Sequence, residues 1–532
     1  MIPSRPSKQP RQLASQRPSR WPPLIILVPS VAVAASVLLP LVYLVLRSFE
    51  AGADVWSFAL RPRTLGVVWR SLALAFCVTT ASLLLALPIA WLTLRTNLAL
   101  RRLWFVLSVL PLVIPSFVGA FAFVSAFAPG GLITSWLPFD LPSPYGFWGA
   151  FLVLTLFNYP YMLLAVRSGL RGLDPSLEEA ARSLGRKPWQ TFVEVTLPHL
   201  RPAIAAGALL VSLYVLSDFG AVSMLRVETF TQAIYVQYKG SFNRSSAAVL
   251  GLMLVSLIGV VMLVDALVRG RSRLDRLGSG AARKPALTKL GAWHVLAQLF
   301  LGSVTLFALV APLSVMLVWF WRGVQSGQAL NVELSPIWNA VSVSLLAALI
   351  TSLAAVPIAV LAVRFPSKLS ASLERLTYVG YALPGIVVAL SLVFFGARYA
   401  PWLYQTRAML VFAYAVLFLP QAVGNVRATL LQVNPHLEEA ARSLGRGRTR
   451  TLLEVTLPLV RSGLITGAAI VFLTSMKELP ATLLLSPIEF NTLATRIWSW
   501  TTEAFFAQAA PYALLLVLVS SLSVGILLSQ EE

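Results

Sequence analysis

The sequence predicts an all-α polytopic membrane protein with about twelve transmembrane helices, arranged as two parallel repeats of six. Three observations lead to this fold class. Hydrophobic residues make up 57% of the 532 residues and charged residues only 12%, whereas a soluble domain has roughly 45–50% apolar and 25% charged residues. Long apolar runs are bounded by arginine and lysine, and the stretch LEEAARSLGR occurs unchanged at 177–186 and at 437–446.

Apolar runs that match the thickness of a bilayer define the predicted spans. A spanning helix needs roughly 20 mostly apolar residues. The first half supplies such runs at 24–46, 71–94, 103–128, 147–166, 202–225 and 247–268. The second half supplies them at 295–321, 339–363, 376–396, 408–426, 463–485 and 509–528. Several runs contain proline, which membrane helices tolerate where their neighbours satisfy the freed backbone groups.

The distribution of positive charge predicts which side of the membrane each loop faces. With the N-terminus inside, the inner loops and the N-terminal tail hold 30 of the 42 lysines and arginines, and the outer loops hold the other 12. Cytoplasmic loops carry the excess of Lys and Arg in membrane proteins, so both termini are expected in the cytoplasm. The formal net charge of +21 is therefore a topology signal and an attraction to anionic lipid head groups. Nucleic-acid binding is not expected.

The predicted organisation has four parts. Residues 1–23 form a basic, proline-rich cytoplasmic tail that is expected to be disordered. The apolar run after it is too long for the core of a cleaved signal peptide. The first repeat covers 24–268, the cytoplasmic linker 269–294 and the second repeat 295–532. The single cysteine, Cys77, cannot form an intrachain disulfide, so cysteine usage leaves the redox compartment open.

The repeated stretch lies in the loop after the fourth span of each half, at 174–201 and 434–461. Within these loops, 16 of 22 positions are identical from LEEAARSLGR to the shared EVTLP. Asp174 can cap a helix, Pro175 suits its first turn and Gly185 can end it. A helix of this length measures about 15 Å, half the thickness of a bilayer, so we place it in the cytoplasm.

We expect this loop helix to be a docking surface. Loops usually diverge faster than the elements they join, yet this loop is the segment most alike between the two halves. Leu177, Ala181 and Leu184 share one stripe at helical spacing, and Ala180 lies beside them. The alternative is a solvated helix that only reverses the direction of the chain. Two identical surfaces predict two copies of one partner.

The loops resemble the EAA loop of permease subunits in binding-protein-dependent ABC importers. That motif is Glu-Ala-Ala, three residues, Gly, nine residues, an aliphatic residue, any residue and Leu-Pro; valine replaces the commoner isoleucine in both copies here. The resemblance covers roughly 65–530. The residues that it assigns to coupling with the ATP-binding subunit are Glu178, Glu179, Ala180, Ala181, Gly185, Leu197, Pro198, Glu438, Glu439, Ala440, Ala441, Gly445, Leu457 and Pro458.

The resemblance implies the MetI-like permease fold in its fused form, in which one polypeptide supplies both halves. It implies two copies of a cytoplasmic ATP-binding subunit, a periplasmic or extracellular substrate-binding protein and a location in the bacterial inner membrane. The sequence contains no G-x-x-x-x-G-K-[ST] motif, so ATP is expected on the partner and no cofactor on this chain. It shows no nucleophile–base constellation, and its three histidines lack metal-ligand spacing. We therefore expect neither catalysis nor a metal site.

Two further segments bear on the cargo. LSDFGAVSML (216–225) and MKELPATLLL (476–485) resemble the fifth-span regions of fused ferric-iron permeases. Permeases for thiamine, sulfate, molybdate or polyamines share the EAA loops and are the alternatives. An ion-coupled secondary transporter can also have two parallel repeats, but such proteins usually carry ionisable residues in mid-membrane, and few are found here. A membrane scaffold without transport is the remaining alternative.

Asp218 and Glu478 occupy equivalent positions in the two halves, 260 residues apart. Each follows about fifteen apolar residues of its span, roughly 22–24 Å of helix, which is less than the roughly 30 Å hydrocarbon core. Carboxylates at such depth are costly unless they face a partner or water. We expect the two acids to flank the outer mouth of a translocation path and to favour a hard cation such as Fe³⁺. The alternatives are a wet vestibule for Asp218 and a structural pair of Glu478 with Lys477.

Overall fold

The computed structural model describes residues 22–50, 52, 57–136, 138–139, 142–240, 245–269, 287–327 and 332–529, and these are almost entirely helical. The helices of the first half are α1 (Leu24–Phe49), α2 (Pro62–Arg95), α3 (Arg101–Val109), α4 (Ser116–Phe127), α5 (Phe147–Gly172), α6 (Pro175–Ser183), α7 (Pro188–Thr191), α8 (Leu197–Ser217), α9 (Gly220–Met224), α10 (Phe230–Gly240) and α11 (Ser245–Arg269). Most of the predicted tail, and linker residues 270–286, lie outside the described residues.

The second half repeats this order. Its helices are α12 (Trp293–Thr305), α13 (Ala311–Gln325), α14 (Ser335–Arg364), α15 (Lys368–Ala382), α16 (Gly385–Tyr399), α17 (Arg407–Gln432), α18 (Pro435–Ser443), α19 (Arg448–Thr451), α20 (Leu457–Leu459), α21 (Arg461–Met476), α22 (Pro480–Leu485), α23 (Leu493–Thr502) and α24 (Phe506–Ser529). Helices α5, α6 and α7 recur as α17, α18 and α19 with bounds shifted by 260 residues throughout. The predicted repeat limits, 24–268 and 295–532, stay predictions.

The all-α membrane fold is confirmed. Among the described residues, eight helices are long and apolar enough to cross a membrane, and up to eleven spans result if each bent pair of helices counts as one. A further, shorter apolar helix covers Phe506–Leu522. No strand occurs in the part of the chain that the structure describes. The predicted number of twelve spans therefore remains approximate.

Two predicted spans are bent by more than 90°, and proline explains both bends. Residues 103–128 form α3 and a short 3₁₀ turn followed by α4, with a bend of 91° between them. The equivalent segment 376–396 forms α15 and α16, bent by 98°. Pro115 and Pro384 stand immediately before the second helix of each pair. Proline has no N–H to donate and restricts the residue before it, so the first helix cannot continue.

The two halves form one interlocked core. Helix α1 packs against α14, α15 and α16 of the second half, and α13 packs against α4 of the first. At this contact Leu44 of α1 is fully buried, and a Cβ at Gly251 of α11 would meet both Leu44 and Leu390 of α16. Because lipid is as apolar as leucine, close van der Waals packing rather than the hydrophobic effect stabilises such contacts. The first span of each half, 24–49 and 293–325, thus packs against the other half, and the cavity described below lies between the halves.

Candidate docking loops and central cavity

Both predicted loop helices form, with the predicted caps. The side chain of Asp174 accepts a hydrogen bond from the N–H of Ser176 at 3.0 Å, which lowers the pKa of Asp174. Asn434 accepts one from the N–H of His436 at the same distance. Such caps satisfy backbone donors that the first turn leaves free. Since an aspartate and an asparagine give the same geometry, the caps need an acceptor atom rather than a charge.

Glycine ends both helices, as predicted. Gly185 has φ +83° and Gly445 has φ +84°, in the left-handed region that favours glycine. In the first loop the N–H of Gly185 donates to the carbonyl of Arg182, and the N–H of Arg186 donates to that of Ala181. This pair of hydrogen bonds is a Schellman motif. The second loop has the same pair of bonds, so the two docking helices stop in the same way.

A buried ion pair fixes the docking helix of the second half to the membrane helices. Oε1 of Glu438 lies 2.9 Å from Nε of Arg364 and accepts a hydrogen bond from the hydroxyl of Thr456 at 3.1 Å. Arg364 is the last residue of α14 and also donates to the carbonyl of Val433. The side chains of Arg364 and Glu438 are only 12% and 11% exposed. The α18 helix is therefore anchored to the end of α14.

The first half has the same anchor in a looser form. Oε1 of Glu178 accepts a hydrogen bond from the hydroxyl of Thr196 at 3.0 Å and lies 3.7 Å from Nη2 of Arg95. Arg95 ends α2 and donates to the carbonyl of Leu170. The first glutamate of each Glu-Glu pair thus contacts its own chain. The sequence assigned Glu178 and Glu438 to partner contact and did not identify their arginines.

The outward surface of the docking helix differs from the predicted stripe. Leu184 is 84% exposed, but Ala181 is only 9% exposed, and Leu177 is half-buried. The correction has a simple cause. Ala181 lies three residues after Glu178 and therefore on the same face of the helix, and that face is turned inward by the anchor. Ala441 is equally buried, at 8%.

The surface left for a partner is largely shared between the two loops. The exposed residues that they have in common are Glu179, Ala180, Arg182, Ser183 and Leu184 in the first loop, and Glu439, Ala440, Arg442, Ser443 and Leu444 in the second. Leu444 is 83% exposed, almost the same as Leu184. Leu197 and Pro198 begin α8 and are half-buried; Leu457 is half-buried and Pro458 exposed. They join the docking loop to the helix that leads to the cavity.

The fifth predicted span of each half is interrupted at its carboxylate. Helix α8 ends at Ser217 and α9 begins at Gly220, so 202–225 is not one helix. In the same way α21 ends at Met476 and α22 begins at Pro480, within the predicted 463–485. A side-chain oxygen at each break accepts a hydrogen bond from the helix that follows. The sequence reasoning placed the acids at equivalent positions of the two halves but missed the interruption that they cap; their depth in the membrane stays a prediction.

Asp218 has both of its oxygens occupied. Oδ1 accepts hydrogen bonds from the N–H groups of Ala221 at 3.0 Å and Val222 at 3.3 Å. Oδ2 accepts a hydrogen bond from the hydroxyl of Ser116, the first residue of α4. The aspartate therefore joins the break in α8 to the bend between α3 and α4.

Glu478 caps the helix after its break in the same way, with a longer side chain. Its Oε1 accepts a hydrogen bond from the N–H of Ala481 at 2.9 Å. Gly385 is the first residue of α16, directly after Pro384, just as Ser116 is the first residue of α4, directly after Pro115. A Cβ at Gly385 would lie 2.6 Å from that Oε1. The first half thus combines a short acid with serine, and the second half combines a long acid with glycine.

Both breaks border one cavity of about 300 Å³ between the halves. Its lining from α8 consists of Leu210, Leu213, Tyr214 and Ser217, all before the break and on the side of the docking loops. Directly after the breaks, Phe219 and Leu479 are each only 2% exposed. The ring of Phe219 lies 5.2 Å from that of Trp498, centroid to centroid. The cavity therefore extends from the breaks toward the docking loops, and Phe219 and Leu479 are tightly packed on its other side.

The two walls of the cavity differ in chemistry. In the first half Tyr161 and Tyr214 stack with ring centroids 4.2 Å apart. The equivalent positions in the second half are Gln421 and Thr474, whose side chains share a hydrogen bond of 3.1 Å. One wall is therefore aromatic and the other is an amide and a hydroxyl.

Lys477 lines the second wall, where the first half has Ser217. The sequence left open that Lys477 forms a structural pair with Glu478. Within the described ranges, Lys477 forms no ion pair with Glu478 or with any other acid. Among the same residues, no group of three or more His, Cys, Asp or Glu side chains that could hold a metal ion is found.

Comparison with known proteins gives a consistent result. A family model described as "Binding-protein-dependent transport system inner membrane component" matches residues 82–274 and 347–530. The Fe(3+)-transport system permease protein FbpB 2 of Haemophilus influenzae is 36% identical over 96% of this chain and 98% of its own length. The ferric transport system permease protein FbpB of Actinobacillus pleuropneumoniae is 25% identical over 85% of this chain and 69% of its own. The sulfate transport system permease protein CysT of Escherichia coli is 28% identical over 45% of this chain and 88% of its own.

Proposed function

The chain belongs to the family of inner membrane components of binding-protein-dependent transport systems, and from this premise we propose that it is a permease that passes ferric iron through the cavity between its halves. The observation that carries the choice of cargo is the 36% identity with an Fe(3+)-transport permease over nearly the full length of both chains. Permeases for thiamine, sulfate, molybdate or polyamines remain the competing cargo classes. An ion-coupled secondary transporter no longer competes, because the family model matches both halves.

Two copies of an ATP-binding subunit would dock at the two loops and supply the energy, while this chain itself binds no cofactor. The support for this lies in the two matching surfaces around Leu184 and Leu444. Both leucines are more than four-fifths exposed on a short helix. Burying a leucine side chain in a partner's groove would contribute about 1.5–3 kcal/mol. Two such sites suit a partner that is present twice.

The anchors can transmit a movement of the docking helices to the cavity. Glu178 and Glu438 tie the docking helices to the ends of α2 and α14. The docking loops also run directly into α8 and α20–α21, whose far ends form the cavity wall. A displacement of the loops by ATP-driven closure of the partner would therefore move the two breaks at Asp218 and Glu478. Opening of the seal at Phe219 and Leu479 would then admit cargo from a substrate-binding protein on the opposite face.

The cavity chemistry is compatible with a hard cation. Carboxylate oxygens suit such ions, and two carboxylates border the cavity. Asp218 uses both oxygens in hydrogen bonds to its own chain, so it shapes the break. Glu478 uses Oε1 to accept a hydrogen bond from the N–H of Ala481, and Gly385 offers it no side-chain donor of the kind that Ser116 gives to Asp218. We assign the more direct contact with cargo to Glu478.

The proposal is tested with the permease, its ATP-binding subunit and its binding protein reconstituted in proteoliposomes. We expect ATP-dependent uptake of radiolabelled Fe(III), without uptake of thiamine, sulfate, molybdate or spermidine by the same vesicles. A Glu179→Arg, Glu439→Arg double variant should still insert but lose uptake and the stimulated ATP hydrolysis, because reversing an exposed charge on each docking helix would misalign that helix on the partner. ATP-dependent uptake of another cargo, with none of iron, would refute the assignment. Normal stimulation in the double variant would show that the loops only connect helices.

The charge distribution supports an inner-membrane orientation with both termini and both docking loops in the cytoplasm. Cysteines introduced at Ser183 and Ser443 in a Cys77→Ser background should then be shielded from membrane-impermeant thiol reagents in intact cells. A cysteine at Ser143, in the loop between α4 and α5, should react. Labelling at Ser183 from outside would invert the topology and remove the docking argument.

A further inference from the structure

We propose that Lys477 selects the form in which iron crosses, admitting Fe³⁺ with a bound oxyanion or carboxylate ligand rather than the bare hydrated ion. This inference rests on the ferric-iron function proposed above and goes beyond it. It makes Lys477 a specificity-determining residue that contacts the anionic part of the cargo. Glu478, one residue further along, would face the metal.

The first step of the argument is the isolation of the ammonium group. Lys477 lines the cavity immediately before the break that Glu478 caps. In the described part of the chain, its Nζ has no carboxylate within 4.0 Å and no hydrogen-bond acceptor. Buried charges are normally paired, so an unpaired ammonium on a cavity wall is costly unless something that enters the cavity pairs with it.

The second step is that the neighbouring acids are already engaged. Asp218 accepts three hydrogen bonds from Ala221, Val222 and Ser116. Oε1 of Glu478 caps α22. The charged groups of the lining that remain for cargo are thus the ammonium of Lys477 and the carboxylate of Glu478. This is a zwitterionic lining, with one cationic and one anionic group side by side.

The third step is electrostatic. A tripositive ion next to an ammonium experiences three times the repulsion of two unit charges at the same distance. A path for the bare ion would therefore be expected to lack a cation at this point, as the first half does with Ser217. A ligand such as phosphate or citrate lowers the net charge of the complex and offers acceptor oxygens. Hydrogen bonds between an ammonium and such oxygens are among the strong ones in proteins.

The asymmetry of the walls fits a single complex of this kind. Only the second half presents the cation, since the equivalent of Lys477 is Ser217. The same wall carries the hydrogen-bonded pair of Gln421 and Thr474, whereas the opposite wall carries the stacked tyrosines. A complex with one anionic face would lie with that face toward the second half. A symmetric hydrated ion would have no such preference.

The test uses the reconstituted complex and doubly labelled cargo. Iron is supplied as ⁵⁵Fe(III) with ³²P-phosphate, or in parallel with ¹⁴C-citrate, and the ratio of anion to iron that enters the vesicles is measured. One arm loads the labelled anion on the binding protein with the iron; the other adds it free to the medium. We expect labelled anion to enter with the iron in a fixed ratio. The two arms distinguish an anion delivered by the binding protein from one taken from solution.

Variants of Lys477 connect that ratio to the residue. Lys477→Met, which has a similar length without charge, should reduce iron uptake about tenfold, the scale of one hydrogen bond to a charged group. Lys477→Arg should restore at least half of the uptake. Co-purification of the ATP-binding subunit checks assembly of each variant, and Lys477→Gln replaces Lys477→Met if the latter does not assemble. A merely structural lysine would leave the anion-to-iron ratio unchanged in the variants that still transport; we expect that ratio to fall.

Three outcomes would overturn the inference. Iron could enter the wild-type vesicles without labelled anion in both arms. Lys477→Met, or Lys477→Gln in its place, could transport iron at or above the wild-type rate. Wild-type vesicles could also take up no iron at all, which would refute the proposed cargo together with this inference. In the first two cases the ferric-iron function itself would stand.

Discussion

At the docking loops the two halves have the same caps, the same helix ends and equivalent buried anchors, whereas at the cavity they place different side chains on equivalent backbone. Glu179 and Leu184 recur as Glu439 and Leu444, each on an outward face. In the cavity, by contrast, Ser217 becomes Lys477. The difference follows what each region contacts. A partner present in two copies needs two equal surfaces, whereas one cargo passing between the halves can meet two unlike walls.

The helices between these regions show that equivalent backbone positions can carry different side-chain interactions. The guanidinium of Arg167 lies 3.6 Å above the ring of Phe105 in the first half. At the equivalent positions, Arg427 forms an ion pair of 3.0 Å with Glu374. A cation can be stabilised by an aromatic face or by a carboxylate. The duplicated fold therefore keeps the position of the charge and changes its partner.

The strongest test of the equal docking loops is removal of their anchors. Arg364→Leu would leave Glu438 buried without its cation, which costs about 3–5 kcal/mol for a buried pair. Arg95→Leu should have a smaller effect, because Arg95 lies 3.7 Å from Glu178 rather than 2.9 Å. We expect both variants to lower the thermal unfolding temperature of the solubilised chain. Both should also reduce co-purification of the ATP-binding subunit.

A matched control distinguishes the anchor from general destabilisation. Arg427→Leu also removes an arginine from an ion pair, but that arginine is 44% exposed and does not contact the docking helix. It should lower stability less and leave co-purification intact. Unchanged co-purification in Arg364→Leu would mean that the docking helix is positioned by its caps and hydrophobic contacts alone.

An intermediate effect is expected at the two helix breaks, where the first half pairs serine with aspartate and the second half pairs glycine with glutamate. Gly385→Ala would place a Cβ 2.6 Å from Oε1 of Glu478, and overpacking of this kind costs roughly 1–3 kcal/mol. The acid would have to leave its cap on α22, so uptake should fall together with stability. Combining Gly385→Ser with Glu478→Asp rebuilds the serine–aspartate pair of the first half. That double variant should recover most of the loss.

The first half provides the control for this exchange. Ser116→Ala removes one hydrogen bond to Asp218, a loss of about 1–3 kcal/mol for a bond to a charged group, and it creates no clash. Thermal unfolding should show a loss of similar size to that of Gly385→Ala, whereas iron uptake should fall less, because Asp218 keeps its two backbone hydrogen bonds to the next helix. If the single Gly385→Ala variant matched the wild type in stability and uptake, the hypothesis would be wrong that a small residue at 385 makes room for the longer acid at 478.

The sequence predicted those features that local chemistry determines. The caps at Asp174 and Asn434 and the stops at Gly185 and Gly445 depend on a few neighbouring residues, and all four are confirmed. The apolar runs likewise identified the membrane helices, because composition alone decides which segments enter lipid.

Features that depend on distant contacts were missed. Ala181 faces inward because Arg95, more than eighty residues earlier, holds Glu178. The interruption at Asp218 is paired with Ser116 across the fold, and a run of apolar letters carries no sign of it. One signal was available: an acid followed by a small residue or proline, as in the Asp-Phe-Gly and Glu-Leu-Pro triplets, suggests a cap after a break.

The smallest effect, and the finest test of equality between the docking loops, is expected at their terminal glycines. At Gly185 and Gly445 an added Cβ would meet nothing within 4 Å. Alanine there would therefore cost only the strain of a left-handed backbone, about 1 kcal/mol each. Docking of the partner should weaken about fivefold for either variant. The apparent affinity of the ATP-binding subunit for permease in nanodiscs measures this effect.

The two docking loops are compared by the loss of partner affinity in each glycine variant and by whether the two losses add. Because φ is +83° at Gly185 and +84° at Gly445, Gly185→Ala and Gly445→Ala should have equal effects, and the double variant should show their sum, as expected for separated sites. Gly185→Asn and Gly445→Asn serve as controls, since asparagine enters the left-handed region more readily than alanine; each should lose less. Unequal losses would mean that the partner treats the two loops differently, and two equal copies would no longer explain why their sequences are the same.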